Sequence, residues 1–414
     1  MGDKKRAVLV PQYMLNFKCI GSECEDNCCI GWRVNIDHET YKKYQKIRDE
    51  ELTPLCEQYV KRNRAQNHGE SNYAKLKFSE DQKCPFLTEN MLCRMQLKRG
   101  EEYLSDVCTI YPRIANTLNS ILERSATMSC PEAARLALLN EEGIEFDEME
   151  EPANIKNIVS WNINTHDLKF NNKPVKYLWE LRVFTISLLQ NRNYRLYERL
   201  IILGMVFNMF QERVSEGKVN DIPGLIASYS NIIEDGSLRE SLSSIPVQYN
   251  IQMKLLKEMA DKRYLMGINS KRYLECFSDF LKGLECTVDA KVEEVGERYQ
   301  KAYKEYYEPF MDSHEYILEN YLVNYVFKNM FPFSKGESLF DSYMMMVLHF
   351  SLIKMLLIGM AGFHKKLTVD LVIKLIQSFS KTVEHNQKYL DRIADLMRYN
   401  GFNTMAYMAI LIKN

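Results

Sequence analysis

Apolar residues in the second half of the chain recur at helical spacing. Val288, Val292, Val295, Tyr299, Ala302 and Tyr306 alternate by four and three, which places them on one helix face. Pro309 is expected to end that helix. Leu390, Ile393, Leu396 and Met397 make a second stripe, with Gly401 where a C-terminal cap belongs. From Trp179 to Phe210 the pattern predicts two apolar helices around a polar break at Gln190–Asn193. The segment "SYMMMVLHFSLIKMLLIGMAGF", 342–363, is apolar on all sides. It has the length of a membrane span, which needs about 20 residues. His349 and Lys354 interrupt it, and a central charge costs about 2.5–3.5 kcal/mol on insertion. A buried core helix is therefore expected, without stable membrane insertion. Few segments alternate as strands do, so the fold class is mainly α.

The first third reads differently. Nine of the eleven cysteines lie there, and the acidic run "NEEGIEFDEMEEP", 140–152, closes it with a proline. Such a run reads as a surface linker. The expected organisation is a cysteine-rich domain over 1–140, a linker over 141–152 and a helical bundle over 153–414. A length of 414 residues suits two domains.

Charge narrows the partners. Lysine plus arginine (54) nearly balance aspartate plus glutamate (55), and no nucleic-acid motif is present, so no nucleic-acid partner is expected. The opening "MGDKKRAVLVPQYM" has too short an apolar run for a secretory signal. Gly2 is followed by Arg6 where myristoylation wants serine or threonine. A cytoplasmic location with reduced thiols follows as the expectation.

Eight cysteines are the candidate metal ligands: Cys19, Cys24, Cys28, Cys29, Cys84, Cys93, Cys108 and Cys130. Thiolates are soft ligands for zinc or iron–sulfur clusters. Zinc sites take closely spaced pairs twice over, whereas here only the first four cysteines are tightly spaced. Adjacent Cys28 and Cys29 fit poorly on one tetrahedral ion, so one of them serves a second centre or packs as a small apolar residue. The radical S-adenosylmethionine spacing, the phosphate-binding loop, the zinc-protease helix, the serine elbow and the dinucleotide glycine fingerprint are all absent.

Taken together, "FKCIGSECEDNCCIGW", "CPFL", "LCRMQ", "CTIYPR" and "MSCPEAARLAL" resemble the flagellin lysine N-methylase family. The resemblance runs on through "LWELRVFTISLLQNRNYRLYERLIILG", "ENYLVNYVFKNMFPF" and "IQSFSKTVEHN", so it covers nearly the whole chain. The cysteine portion is also similar to bacterial zinc- or iron-chelating domains. The family resemblance implies methyl transfer from S-adenosylmethionine to lysine ε-amines of flagellin. It also implies an iron–sulfur cluster, 4Fe–4S in preference to zinc. No Rossmann-type methyltransferase fold is evident in the sequence.

The chemistry of that reaction singles out further residues. A lysine amine titrates near 10.4, so the enzyme must desolvate its ammonium or offer a proton acceptor. Aromatic faces and oxygens steady a sulfonium. In the "ENYLVNYVF" and "QSFSKTVEHN" helices, Tyr321 and Asn324 are candidates to stabilise the methyl in flight, and His385 to take the proton. Tyr316, Asn320, Tyr325 and Tyr343 belong to the same polar set, and Tyr321 and Tyr325 read equally as core aromatics. The competing reading is a non-catalytic metal-binding interaction protein or a redox sensor.

Overall fold

The segment 342–363 forms the axis of the molecule. In a computed structural model, which describes residues 5–31, 34–65, 69–80, 82–153, 155, 157–287, 289–333 and 338–414, it lies within the helix Leu339–His364, buried at every position from Ser342 to Gly362. Gly2, Trp32 and Val288 fall outside the described residues. Among those residues this is the one helix long and apolar enough to cross a membrane, and protein covers it throughout. Its two interrupting groups each find a backbone carbonyl. His349 Nδ1 donates to Met345 O at 2.8 Å, and Lys354 Nζ donates to Ile412 O at 3.0 Å. Gly359 and Gly283 let this helix and Lys271–Gly283 touch backbone to backbone, since a Cβ on Gly283 would collide with Gly359 O.

Helices dominate the described chain, as the periodicity predicts. Leu178–Leu189 and Leu196–Ser215 flank the polar break. Gln387–Tyr399 ends in a Schellman turn: Gly401 sits at φ +66°, its N–H donates to Arg398 O, and Phe402 N–H donates to Met397 O. Pro309 is a correction. The helix Val292–Ala302 passes through a π-helical turn, Tyr303–Tyr307, directly into Glu308–His314. Pro309 has no N–H to continue the regular ladder, and the π-helical turn stands directly before it.

The acidic run is a second correction, because part of it is a strand. Phe146–Pro152 lies at the edge of a five-stranded sheet, antiparallel to Lys5–Pro11, which in turn runs parallel to Ile121–Ala126. Arg113–Leu118 and Val159–Ile163 complete the sheet. Charge suits an edge strand. Lys5 meets Glu150 at 3.0 Å, and Glu151 receives Arg6 at 2.7 Å and Arg124 at 2.6 Å. Burial would raise the Glu151 pKa, but the two guanidinium groups prevail and hold it below the usual range. The hairpin Arg113–Leu118/Ile121–Ala126 turns through Asn119 and Ser120, both at positive φ, as a two-residue type I′ turn requires. The sheet mixes parallel and antiparallel pairings, unlike a doubly wound nucleotide-binding fold.

Residues before 140 divide among three cores, of which the least is the cluster Val8, Val10, Ala115 and Leu122 within the sheet. Val34, Ile36, Tyr44, Leu52, Cys84 and Phe86 belong to a small one, built on the strands Asn35–Ile36, Val60–Arg62 and Ala74–Leu76. Tyr13, Phe17 and Ala126 through Ile144 instead join the main helical core. Arg182 pins that core to the sheet through a bidentate ion pair with Glu123 at 2.6 and 2.7 Å, both side chains almost wholly buried.

Candidate functional site

The strand Ile121–Ala126 delivers Thr127 and Ser129, both buried, to the wall of a cleft. The helix Tyr316–Lys328 forms one wall, contributing Tyr325 and Lys328. The helix Val369–Phe379 runs into a π-helical turn, Ser380–Glu384, which presents Lys381, Glu384 and the following His385. The edge strand Val159–Ile163 adds Ser160 and Trp161.

The cleft has two lobes. One, of about 280 Å³, is bounded by Trp161, Tyr325, Lys328, His349 and Glu384. The other, of about 380 Å³, is bounded by Cys28, Tyr111, Arg113, Ser129 and Lys381. Ile114, Thr127, Ser160 and His385 line both, so the lobes meet at these four residues. Each lobe has the size of a small-molecule site, for which about 300–1,000 Å³ is typical.

His385 is open to solvent at this junction, yet its Nε2 is tucked in, 3.1 Å from Ser129 Oγ and 3.3 Å from Thr127 Oγ1. Desolvation of this inward edge, and then the charges of Lys328 and Lys381, push its pKa below the usual histidine value. The imidazole is therefore neutral near pH 7 and able to accept a proton.

Glu384 forms the floor of the first lobe. Its Oε2 is 2.7 Å from Lys328 Nζ, and its Oε1 accepts a hydrogen bond from Tyr321 OH at 2.7 Å. Burial alone would raise its pKa. The Lys328 ammonium, His349 and the two hydrogen bonds outweigh it and hold the carboxyl well below the usual range. Tyr321 is thus buried behind the cleft, its phenol pushed upward by burial and by the adjacent carboxylate.

Asn324 lies elsewhere. Its Oδ1 accepts from Tyr13 OH at 2.7 Å and its Nδ2 donates to Ala126 O at 3.2 Å, while Ala126 N–H donates to the same Tyr13 oxygen. This clamp ties the helix Tyr316–Lys328 to the end of the sheet. Asn320 likewise caps Leu138 O and Asn140 O, and Tyr343 OH reaches Leu200 O inside the main core. Tyr316 packs partly buried against that core, and Tyr325 alone of these four lines the cleft.

The cysteines separate into two groups. Cys28, Cys29, Cys84, Cys93 and Cys108 surround a cavity of about 90 Å³ in the small core. Backbone pairing brings them together: Cys84 N–H donates to Cys29 O at 2.9 Å, and Leu87 bridges Cys93. Cys19, Cys24 and Cys130 form the second group, close enough that both Cys19 and Cys24 raise the Cys130 thiol; burial contributes most to bringing it up to about 12. All eleven cysteines are free thiols. Five convergent sulfurs are the donor chemistry of a thiolate-bound cluster. Among the described residues no three donors are arranged to hold a single metal ion. The loop between the groups is docked onto the cleft, since Asp26 receives Lys381 Nζ and Gln377 Nε2, each at 2.7 Å.

Sequence reasoning missed Arg113, Trp161, Lys328 and Glu384. Three of them stand inside quoted segments, "CTIYPR", "ENYLVNYVFKNMFPF" and "IQSFSKTVEHN". Of these, only Lys328 carries a charge within an apolar run, in "NYVFKNMF".

The fold thus brings five cysteines around one small cavity and sets a histidine at the junction of a two-lobed cleft in a mainly helical body. The FliB lysine N-methylase C-terminal domain matches residues 182–411, more than half of the chain, and the chain belongs to this family. It is 22% identical to the lysine-N-methylase of Salmonella typhimurium (strain LT2) over 395 residues, 93% of this chain and 94% of that protein. A lysine-N-methylase of Salmonella choleraesuis shows the same identity and coverage. The flagellar biosynthetic protein FliU of Salmonella muenchen is 30% identical over 146 residues, 35% of this chain and 85% of that protein. No solved structure matches the chain. These matches support a role in protein lysine methylation.

Proposed function

We propose that the protein is an S-adenosylmethionine-dependent lysine N-methyltransferase of the cytoplasm whose substrate is flagellin, and that donor and lysine meet where the two lobes join. The observation that carries this reading is the position of His385, which lines both lobes with its Nε2 3.1 Å from Ser129 Oγ and 3.3 Å from Thr127 Oγ1. The flagellar names of the relatives point to flagellin.

The incoming ε-ammonium enters the first lobe, where Trp161 and Tyr325 offer aromatic faces. His385 takes a proton from it, freeing the nitrogen lone pair. That pair displaces the methyl from the sulfonium: the N–C bond forms, the S–C bond breaks, and S-adenosylhomocysteine leaves. Thr127 and Ser129 orient the imidazole through its Nε2.

An iron–sulfur cluster, 4Fe–4S in preference to zinc, belongs to the same proposal, held by cysteines of the group at Cys28, Cys29, Cys84, Cys93 and Cys108. A cluster would supply redox-active iron, and its binding would stabilise the small core. The chain's own part is to converge these thiols and to dock the loop through Asp26.

The test is incubation of the purified protein with flagellin and S-adenosylmethionine, followed by mass spectrometry of flagellin peptides. Lysine peptides heavier by one or more methyl groups support the reading. Unmodified flagellin, with protein that is folded and carries its metal, would sink it.

A further inference from the structure

Three cations line the cleft, and two are matched. Lys328 is held by Glu384 and Lys381 by Asp26, each at 2.7 Å. Arg113 is different. It opens the strand Arg113–Leu118 and lines the second lobe half-buried, with its guanidinium 5.2 Å over the Phe17 ring. Among the described residues no hydrogen bond or ion pair engages it; Glu101 acts on it only through its field.

The rest of the lobe explains why this matters. Val107, Ile110, Ile114 and Ile158 make it largely apolar, with Thr127, Ser129 and Ser160 hydroxyls at the junction end. A partly desolvated charge against such walls is costly unless an anion answers it. A guanidinium presents paired N–H donors in a fixed fork that matches a carboxylate.

We propose that Arg113 anchors the α-carboxylate of the methyl donor. The donor then lies along the second lobe, its amino-acid end at Arg113 and its sulfonium methyl at the junction beside Thr127, Ser129 and His385. This rests on the reading that the cleft takes S-adenosylmethionine. It adds the direction in which the donor lies and the residue that sets it. Arg113 is also near Cys19 and Cys130, so service to those thiolates is the competing role.

The experiment compares two ligands by isothermal titration calorimetry on the metal-loaded full chain. S-adenosylhomocysteine carries the carboxylate, whereas 5′-methylthioadenosine keeps the nucleoside and thioether without the amino-acid end. In Arg113→Gln, S-adenosylhomocysteine should bind about 10- to 100-fold more weakly, as expected for a lost charge-assisted hydrogen bond. Binding of 5′-methylthioadenosine should stay within about two-fold of wild type, and Arg113→Lys should recover part of the loss. Equal weakening of both ligands, or unchanged S-adenosylhomocysteine affinity, overturns the proposal. Unchanged affinity with a lowered melting temperature would assign Arg113 to packing beside Cys19 and Cys130 instead. If wild type binds neither ligand, the donor reading of the cleft fails first and the inference goes with it.

Discussion

Lys328 Nζ and Glu384 Oε2 lie 2.7 Å apart, with both side chains about nine-tenths buried. Removing one partner of such a pair strands the other charge, at a cost of about 3–5 kcal/mol. Lys328→Met should therefore lower the midpoint of chemical denaturation far more than Glu384→Gln with Lys328→Met combined. The pair also has a pH signature. Because the folded Glu384 pKa is depressed, its contribution is complete above the unfolded value of about 4.3 and is lost as pH falls through the folded one. Wild type minus Glu384→Gln stability, measured by urea titration from pH 7 downward, should shrink over that range. A difference independent of pH would contradict the assignment.

His385 should behave as a base. General-base contributions are typically about 10²–10⁴-fold, so His385→Ala should lower kcat for flagellin methylation on that scale without altering folding. Desolvation of its inward edge and two nearby ammonium groups lower its pKa, so the acid limb of the wild-type rate should fall below the ordinary histidine range. The rate should rise with pH through that value, because only the neutral ring accepts a proton. A wild-type profile and rate in His385→Ala would move the chemistry elsewhere in the cleft.

Asn324 should prove structural. Asn324→Ala leaves Tyr13 OH and Ala126 O without their partner, and stranding such buried groups costs about 1–3 kcal/mol. Stability should drop by that amount while kcat per folded molecule stays near wild type. Loss of kcat in fully folded protein would restore the direct role in stabilising the methyl in flight.

The contrast between Asn324 and His385 shows what the sequence could carry. Continuous apolar runs located the central helix and the pair around Gln190–Asn193, and a one-face stripe located the cap at Gly401, because burial leaves a local imprint in each case. The sheet escaped because its edge strand Phe146–Pro152 is built from acids whose partners, Lys5, Arg6 and Arg124, lie far away in sequence. Amides among apolar neighbours drew attention to Asn320 and Asn324. Whether such an amide clamps backbone or faces ligand depends on what lies across the fold. Glu384 and Lys328 reversed the case: each alone reads as ordinary helix charge, and only their meeting makes a site floor.

The cysteines allow a sharper contrast, because Cys56 shares the small core with the five-thiol group without lining its cavity. Metal ligation requires thiolates, whereas burial pushes Cys108 up to about 11, so a bound cluster must supply the stabilisation that keeps it deprotonated. Serine at Cys84, Cys93 or Cys108 should then lose iron and destabilise the protein together. Cys56→Ala removes a buried sulfur from packing, also at a cost in stability, but should retain full iron. Cys276→Ala and Cys286→Ala, in the helical body, should likewise leave iron unchanged. Iron and sulfide analysis of anaerobically purified variants, with thermal melts alongside, separates the two effects. Iron lost in Cys56→Ala, or retained in all three serine variants, would show that the cavity between these five thiols is not where the cluster sits.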